Sequence, residues 1–427
     1  MHLQTERDPD GGWYDRFVRI VDDEGRIIED FGKHPTLNEL REAERRYGER
    51  INLWQQGLVC YECGNQINDR FSARLDGHIV CWECAMGKAE EQQGGLQINA
   101  DPTKSVLSES KLHKKSLCDY VINVATGCRH GCKFCYVPST PAIDNREEML
   151  AEQADVNNPQ EDWGTYLLYR DDLPERVHDG LQQTDFSDWK KTRRGRGVVM
   201  LSSGTDCYQD RRAAQITRGC VQELITHGVP VRILTRSPNV VRDIDLFQRA
   251  GEKIAVGCSI PSFDTSLVKA MEPNAPPPQA RWEALDKLFQ AGVPRFVSFS
   301  PTYPTMDRDE IREALSWFAA IDPDVVFHEP MNPRGANFKM CLDAAREIGY
   351  EDMAEELQNI QKRDQWVEYA IEHIDLVLDV AAQFDNIEIH TWPDRELLKE
   401  TSGTRHHRLK KMREKVSPEQ FPFEAAK

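Results

Sequence analysis

The stretch Ala125–Pro138, ATGCRHGCKFCYVP, carries Cys128, Cys132 and Cys135 at a C-x3-C-x2-C spacing. A loop this short can turn three thiolates toward one point, and Gly127 and Gly131 supply backbone conformations that bulkier residues resist. Three thiolates can hold three irons of a [4Fe–4S] cluster and leave the fourth iron open to a small ligand. That open iron separates a reactive cluster from a plain electron carrier, which normally has four cysteines. The competing assignment is a zinc site completed by His130 or Cys118, although this spacing is a weak zinc pattern.

Outward from this loop the chain alternates short β-branched runs with amphipathic stretches. Strands are expected at 119–125, 165–169, 197–203, 231–235, 253–259, 295–300, 324–329 and 386–391. Helices are expected at 211–227, 240–250, 280–291 and 308–320, with an acidic helix or helix pair over 351–384. Alternation of this length predicts an α/β fold, a partial or complete parallel (β/α) TIM-type barrel over 118–392. Chemistry in such barrels gathers at the carboxyl ends of strands, and the three cysteines directly follow the first one.

Before the barrel, Cys60, Cys63, Cys81 and Cys84 form two C-x2-C pairs seventeen residues apart. This is a strong four-cysteine zinc pattern, and Zn2+ could order a small module at 58–87 with two short strands between the pairs. Residues 1–57 read as a charged region with one helix at 36–50. Residues 88–117 read as a linker that wraps the next domain, and 393–427 as a basic tail. Acidic residues outnumber basic ones by 71 to 54, and the net charge of −17 disfavours a broad nucleic-acid surface. Two basic clusters, at 190–196 and 405–413, are either solvated surface or phosphate contacts. Twelve cysteines without a disulfide pattern fit a reducing compartment, so the cytoplasm is expected. No run approaches the roughly 18 apolar residues of a membrane span.

The three-cysteine motif with Tyr136 after it resembles the radical S-adenosylmethionine (SAM) enzymes. The resemblance implies a barrel of their type, SAM bound at the open iron, cleavage to a 5′-deoxyadenosyl radical, and an electron donor such as flavodoxin or ferredoxin. Downstream, SSGTDCYQD (202–210), ILTRSPNVVRDIDLF (233–247) and the long run GCSIPSFDTSLVKAMEPNAPPPQARW from 257 are similar to the spore photoproduct lyase-like, or DNA repair photolyase-like, branch. By position, the resemblance implies that Thr205 and Ser259 approach the SAM amino acid portion. It also implies that Arg236 pairs with the SAM carboxylate, and that Phe134 and Tyr136 flank cluster and cofactor. Taken alone, Thr205 and Ser259 could equally cap strand ends, and Arg236 could form a surface ion pair.

Spore photoproduct lyases carry a hydrogen-donating cysteine two residues before the position of Thr205; here that residue is Ser203. Cys207 or Tyr208 could reach the pocket from the same loop, although Cys207 reads equally well as a small buried hydrophobe. Asp206, Glu329, Asn332, Arg334 and His390 stand at strand ends and are candidates for the substrate pocket. Three functions remain in play: a radical SAM enzyme acting on a DNA or RNA base, one acting on a peptide or small metabolite, and a non-catalytic docking or sensing protein that binds zinc and an iron–sulfur cluster.

Overall fold

The computed structural model describes residues 2–7, 16–22, 24–33, 43, 46, 72–75, 78–81, 96–115, 117–183, 197–332 and 336–415. The chain divides into two compact units, Met1–Gly94 and Gly95–Lys427.

In the first unit, β1 (His2–Arg7), β2 (Arg16–Val21) and β3 (Ile27–Lys33) form an antiparallel sheet in that order. The β2–β3 turn follows from Asp22, whose Oδ1 accepts the amides of Glu24 (3.0 Å) and Arg26 (2.9 Å), while Gly25 takes φ of 81°. The charged composition of 1–57 concealed this sheet. The helix expected at 36–50 lies almost wholly outside the described residues. The two strands expected between the cysteine pairs are β4 (Ser72–Leu75) and β5 (His78–Cys81), which pair antiparallel with Ser72 opposite Cys81. Cys60, Cys63 and Cys84 lie outside the described residues, and only the backbone of Cys81 is described.

The second unit is α/β. Its strands are β6 (Gln97–Ala100), β7 (Ser108–Glu109), β8 (Tyr120–Ile122), β9 (Ala125–Thr126), β10 (Tyr166–Tyr169), β11 (Val199–Leu201), β12 (Val231–Thr235) and β13 (Ile254–Ser259), followed by β14 (Arg295–Thr302), β15 (Val325–Pro330) and β16 (Ile389–Thr391). Eight of them make one sheet in the order β16-β15-β14-β13-β12-β11-β8-β7. From β8 to β16 every neighbouring pair is parallel, and only β7 runs antiparallel at its edge. Spatial order follows chain order because each return passes through a helical connection. All six residues of β13 are buried, as expected for a parallel strand covered on both faces.

The helices Arg211–Thr226, Ile244–Ala250, Pro278–Gln290 and Arg308–Ala319 fall where periodicity puts them, and the 351–384 stretch is a pair, Glu351–Ile360 and Arg363–Ala381. Aspartates start several of them: Asp210 accepts the amide of Ala213 at 2.8 Å, and Asp307 forms a reciprocal capping box with Glu310.

Three sequence expectations change. The run 165–169 is not a strand of the main sheet: β10 pairs with β6 and β9 in a separate small sheet. Its four residues are all buried, so apolar content could not say which sheet owned them. The expected strand 119–125 splits at Asn123 and Val124, with β8 in the main sheet and β9 in the small one. The supposed linker 88–117 folds into the second unit from residue 95 on. Its polar backbone is bound by arginines: Arg176 Nη1 donates to the Thr103 carbonyl at 2.8 Å, and Arg170 donates to that of Ser105. No described helix is long and apolar enough to cross a membrane.

Removing the capping box with Asp307→Ala should cost about 1 kcal/mol. Chemical denaturation followed by circular dichroism checks this.

Candidate functional site

The cysteine loop leaves β9 under tight restraint. Gly127 has φ of 91°, and a Cβ there would run into the carbonyl oxygen of Tyr166. Two neighbouring segments, 205–209 and 271–274, then hold the loop. The Thr205 hydroxyl donates to the Gly127 carbonyl (2.5 Å), and the Arg129 amide to Gln209 Oε1 (2.8 Å). The Lys133 amide donates to the Met271 carbonyl (2.8 Å), and the Asn274 amide to that of His130 (3.2 Å). Cys128, Cys132 and Cys135 are in no disulfide and line one cavity of about 560 Å3. Burial pushes Cys128 up to about 12 and Cys135 up to about 11, and raises Cys132 well above its ordinary value. Three thiols so placed ionise readily only against a cationic group, which is the donor chemistry of an iron–sulfur site.

Among the described residues no group of three His, Cys, Asp or Glu side chains is placed to hold a metal ion, the three cysteines included. The two side chains expected to complete a zinc site at this loop are engaged elsewhere. His130 turns its Nε2 to Asp206 Oδ2 at 3.1 Å, and Cys118 sits in a separate apolar cluster with Val198, Met200 and Phe296.

The strand ends facing the loop are polar and mutually bonded. Asn123 Oδ1 accepts the amides of Ser203 (3.0 Å) and Gly204 (2.8 Å), which shapes the turn after β11. Asp206 lines the cavity but is saturated: it accepts from the Thr235 hydroxyl (2.6 Å), the Arg236 amide (2.6 Å) and the Tyr208 amide (2.9 Å). Burial acts to raise its pKa, but His130 and these hydrogen bonds outweigh it and hold the carboxyl at about 2. Arg236 directs Nε to Glu272 Oε1 at 3.2 Å and lies 5.5 Å from the Phe134 ring centroid. Its two terminal nitrogens are left for another acceptor. Ser259, at the end of β13, is buried in the cavity wall. Phe134 is half-buried there, while Tyr136 stands at the rim, 57% exposed.

The wall opposite comes from β15, β16 and residues 112–117. Glu329 pairs with Lys115, and Asn332 Nδ2 donates to Asp394 Oδ2 at 3.3 Å. His390 is buried, and burial lowers its pKa to about 4, so the ring is neutral near pH 7. Trp392 lies between two cations, with Lys115 Nζ 5.1 Å and Arg413 Cζ 3.5 Å from its ring centroid. Arg334 lies outside the described residues.

Two sequence candidates are misplaced. Cys207 and Tyr208 do not line the cavity. Cys207 packs in the apolar core with Sγ 3.6 Å from the Leu201 carbonyl, and the Tyr208 hydroxyl donates to buried Asp243 at 2.8 Å. Both side chains are fully buried in the core. Sequence reasoning also missed Phe296 and Ser298 of β14, Phe327, Lys115 and Glu272. Alternation along β14 could have found the first two, since Phe296, Ser298 and Ser300 are every second residue and all face the cavity. Of the basic clusters, 190–196 lies outside the described residues. In 405–413, Arg405 pairs with Glu368 at 2.8 Å, Arg408 pairs with Asp375, and Arg413 donates to the Pro393 carbonyl, so much of that charge is already engaged.

A parallel α/β sheet with three cysteines on the loop after β9 defines a class, and a family model agrees with it. The Radical SAM superfamily model matches residues 122–318. A protein of the Acidianus two-tailed virus, named as uncharacterised, is 31% identical over 244 residues, which is 56% of this chain and 76% of that protein. One from Methanocaldococcus jannaschii, likewise named, is 27% identical over 188 residues, 44% of this chain and 61% of that protein. A solved structure of a spore photoproduct lyase variant with bound AdoMet and a dinucleoside spore photoproduct aligns with a TM-score of 0.48 at 14% identity, covering 82% of this chain and 93% of that one. The chain belongs to the radical SAM superfamily and is an enzyme of that type, which sets aside the non-catalytic alternative.

Replacing the buried thiol in Cys207→Ala should cost about 1 kcal/mol and leave the iron content of anaerobically purified protein unchanged. Cys128→Ala should abolish iron binding. Metal analysis alongside denaturation checks both, and iron loss from the Cys207 variant would return that thiol to the site.

Proposed function

We propose that this enzyme holds a [4Fe–4S] cluster on Cys128, Cys132 and Cys135 and uses SAM to abstract hydrogen from a nucleic-acid base. The observation that carries this reading is the convergence of three unpaired cysteines and the Arg236 guanidinium on one cavity. Held by Cys128, Cys132 and Cys135, such a cluster would supply the one electron that reduces SAM to methionine and the 5′-deoxyadenosyl radical.

The chain's own residues then bind, orient and exclude water. Arg236 would take the SAM carboxylate on the two nitrogens that Glu272 leaves, a planar two-donor match. Ser259 would meet the amino acid portion. Thr205 has given its proton to Gly127 and accepts from Gln209 at 3.1 Å, so it could offer the SAM ammonium only its remaining lone pair. Phe134 and Tyr136 would flank the cofactor. Met200, Phe296 and Phe327 give the cavity an apolar shelf that excludes water from a radical. That shelf also suits a flat base, whose edge would meet His390 and Asn332, with Glu329 beside them. A base from a duplex would have to flip out to enter. Cys60, Cys63, Cys81 and Cys84 would hold one Zn2+ in an accessory module, and a flavodoxin or ferredoxin would deliver the electron.

A second reading, a peptide or small metabolite as substrate, draws support from the engaged arginines at 405–413 and from the net charge of −17. Anaerobic reduction with SAM should yield 5′-deoxyadenosine, faster when the substrate class is present. Parallel incubations with single-stranded DNA, duplex DNA, RNA and peptide fractions identify that class. Stimulation by peptide alone would establish the second reading, and absence of 5′-deoxyadenosine from iron-loaded protein would reject both.

A further inference from the structure

We propose that Glu272 is a positioning residue that fixes the fork of Arg236 at a set distance from the cysteine loop. The proposal rests on the reading of the cavity as the SAM site. Glu272 caps the helix Thr265–Met271, and its carboxylate is completely buried between two guanidinium groups. One is Arg236, whose Nε donates to Oε1 at 3.2 Å; the other is Arg281, whose Nη2 meets Oε2. Arg281 is equally buried and is committed elsewhere too, with Nε donating to the Pro276 carbonyl at 2.8 Å and Nη1 to that of Ser259 at 2.9 Å.

The donor inventory explains why the arrangement favours an anion. Arg281 spends its donors inside the protein. Arg236 gives Nε to Glu272 and is the member of the three that reaches the cavity, its side chain 21% exposed. A carboxylate matches the free edge of its fork.

Geometry explains why position is involved as well as charge. The turn that carries Glu272 also holds the cysteine loop, through the Met271 carbonyl to the Lys133 amide (2.8 Å) and the Asn274 amide to the His130 carbonyl (3.2 Å). Pro273, Pro276, Pro277 and Pro278 stiffen it. Arg281 ties the same turn to Ser259 at the end of β13. One rigid turn therefore sets the spacing of the cysteines, the fork and the β13 strand end, and a misplacement there would be felt by any ligand that spans them.

A double-mutant cycle tests this on the full, iron-loaded chain, with SAM affinity read by equilibrium dialysis and iron content and thermal stability read in parallel. Glu272→Gln and Arg236→Gln should each weaken SAM binding about tenfold or more, and the double variant should bind no worse than Arg236→Gln alone. Multiplying effects in the double variant would make Glu272 an independent structural residue and overturn the proposal. So would full affinity in folded Glu272→Gln protein beside an impaired Arg236→Gln. Failure of wild-type protein to bind SAM would instead remove the reading beneath the proposal. Should Glu272→Gln not fold or not hold iron, Glu272→Asp decides: weaker SAM binding at full iron content supports the positioning role, and unchanged binding overturns it.

Discussion

Three thiols, those of Cys128 and Cys132 buried and that of Cys135 half-buried, have to face one small space at the end of a sheet, and most of the neighbouring architecture follows from that constraint. A loop of this length has too few residues to build its own interior. Its carbonyls and amides must therefore find partners on other segments. They find them on the turn after β11, on Gln209 and on the turn before the helix Pro278–Gln290. The positive φ values of Gly127 and Gly131 let the backbone pass close to β10 and its approach, where a Cβ at Gly127 would collide. The small sheet of β6, β10 and β9 supplies the surface that the loop passes over.

The electrostatics of the site rest on the same interlocking. Asp206 and Glu272 are buried carboxylates, and each is surrounded by donors on separate strands or turns. Burial of a charge is tolerated only when it is paired and hydrogen-bonded, so each carboxylate acts as a knot between elements and is poorly suited to act as a free acid or base. Asp206 joins the cysteine loop, through His130, to the end of β12. Glu272 joins Arg236 to the turn that holds the same loop. The side of the cavity near the cysteines is thus rigid and charged. The opposite side sets the apolar Phe296 and Phe327 and the neutral ring of His390 beside the Lys115–Glu329 ion pair.

The order of strands and helices was legible in the sequence because parallel strands buried on both faces read as continuous β-branched runs, and because aspartates mark helix starts. The cysteine loop was legible because its spacing is local. The sequence could not show which sheet owns a short apolar strand: β10 reads like any strand of the main sheet and belongs to another. It could not show that Cys207 and Tyr208 turn inward, since adjacent residues on a loop can face opposite ways. Nor could it show that 95–117 packs as part of the second unit, because that segment is held by arginines sixty or more residues away rather than by its own apolar content.

The sequence alone therefore determined the α/β class, the chain position of the three cysteines and the residues at the strand ends, all of which are encoded in local pattern. Tertiary structure decided which strand-end residues share a cavity, which are consumed as anchors, and which charge is left facing inward. Those outcomes depend on partners distant in the chain: Glu272 for Arg236, Gly127 for Thr205, His130 for Asp206. A side chain's chemistry at a site is what remains after its neighbours have taken their hydrogen bonds, and only the folded arrangement fixes who those neighbours are.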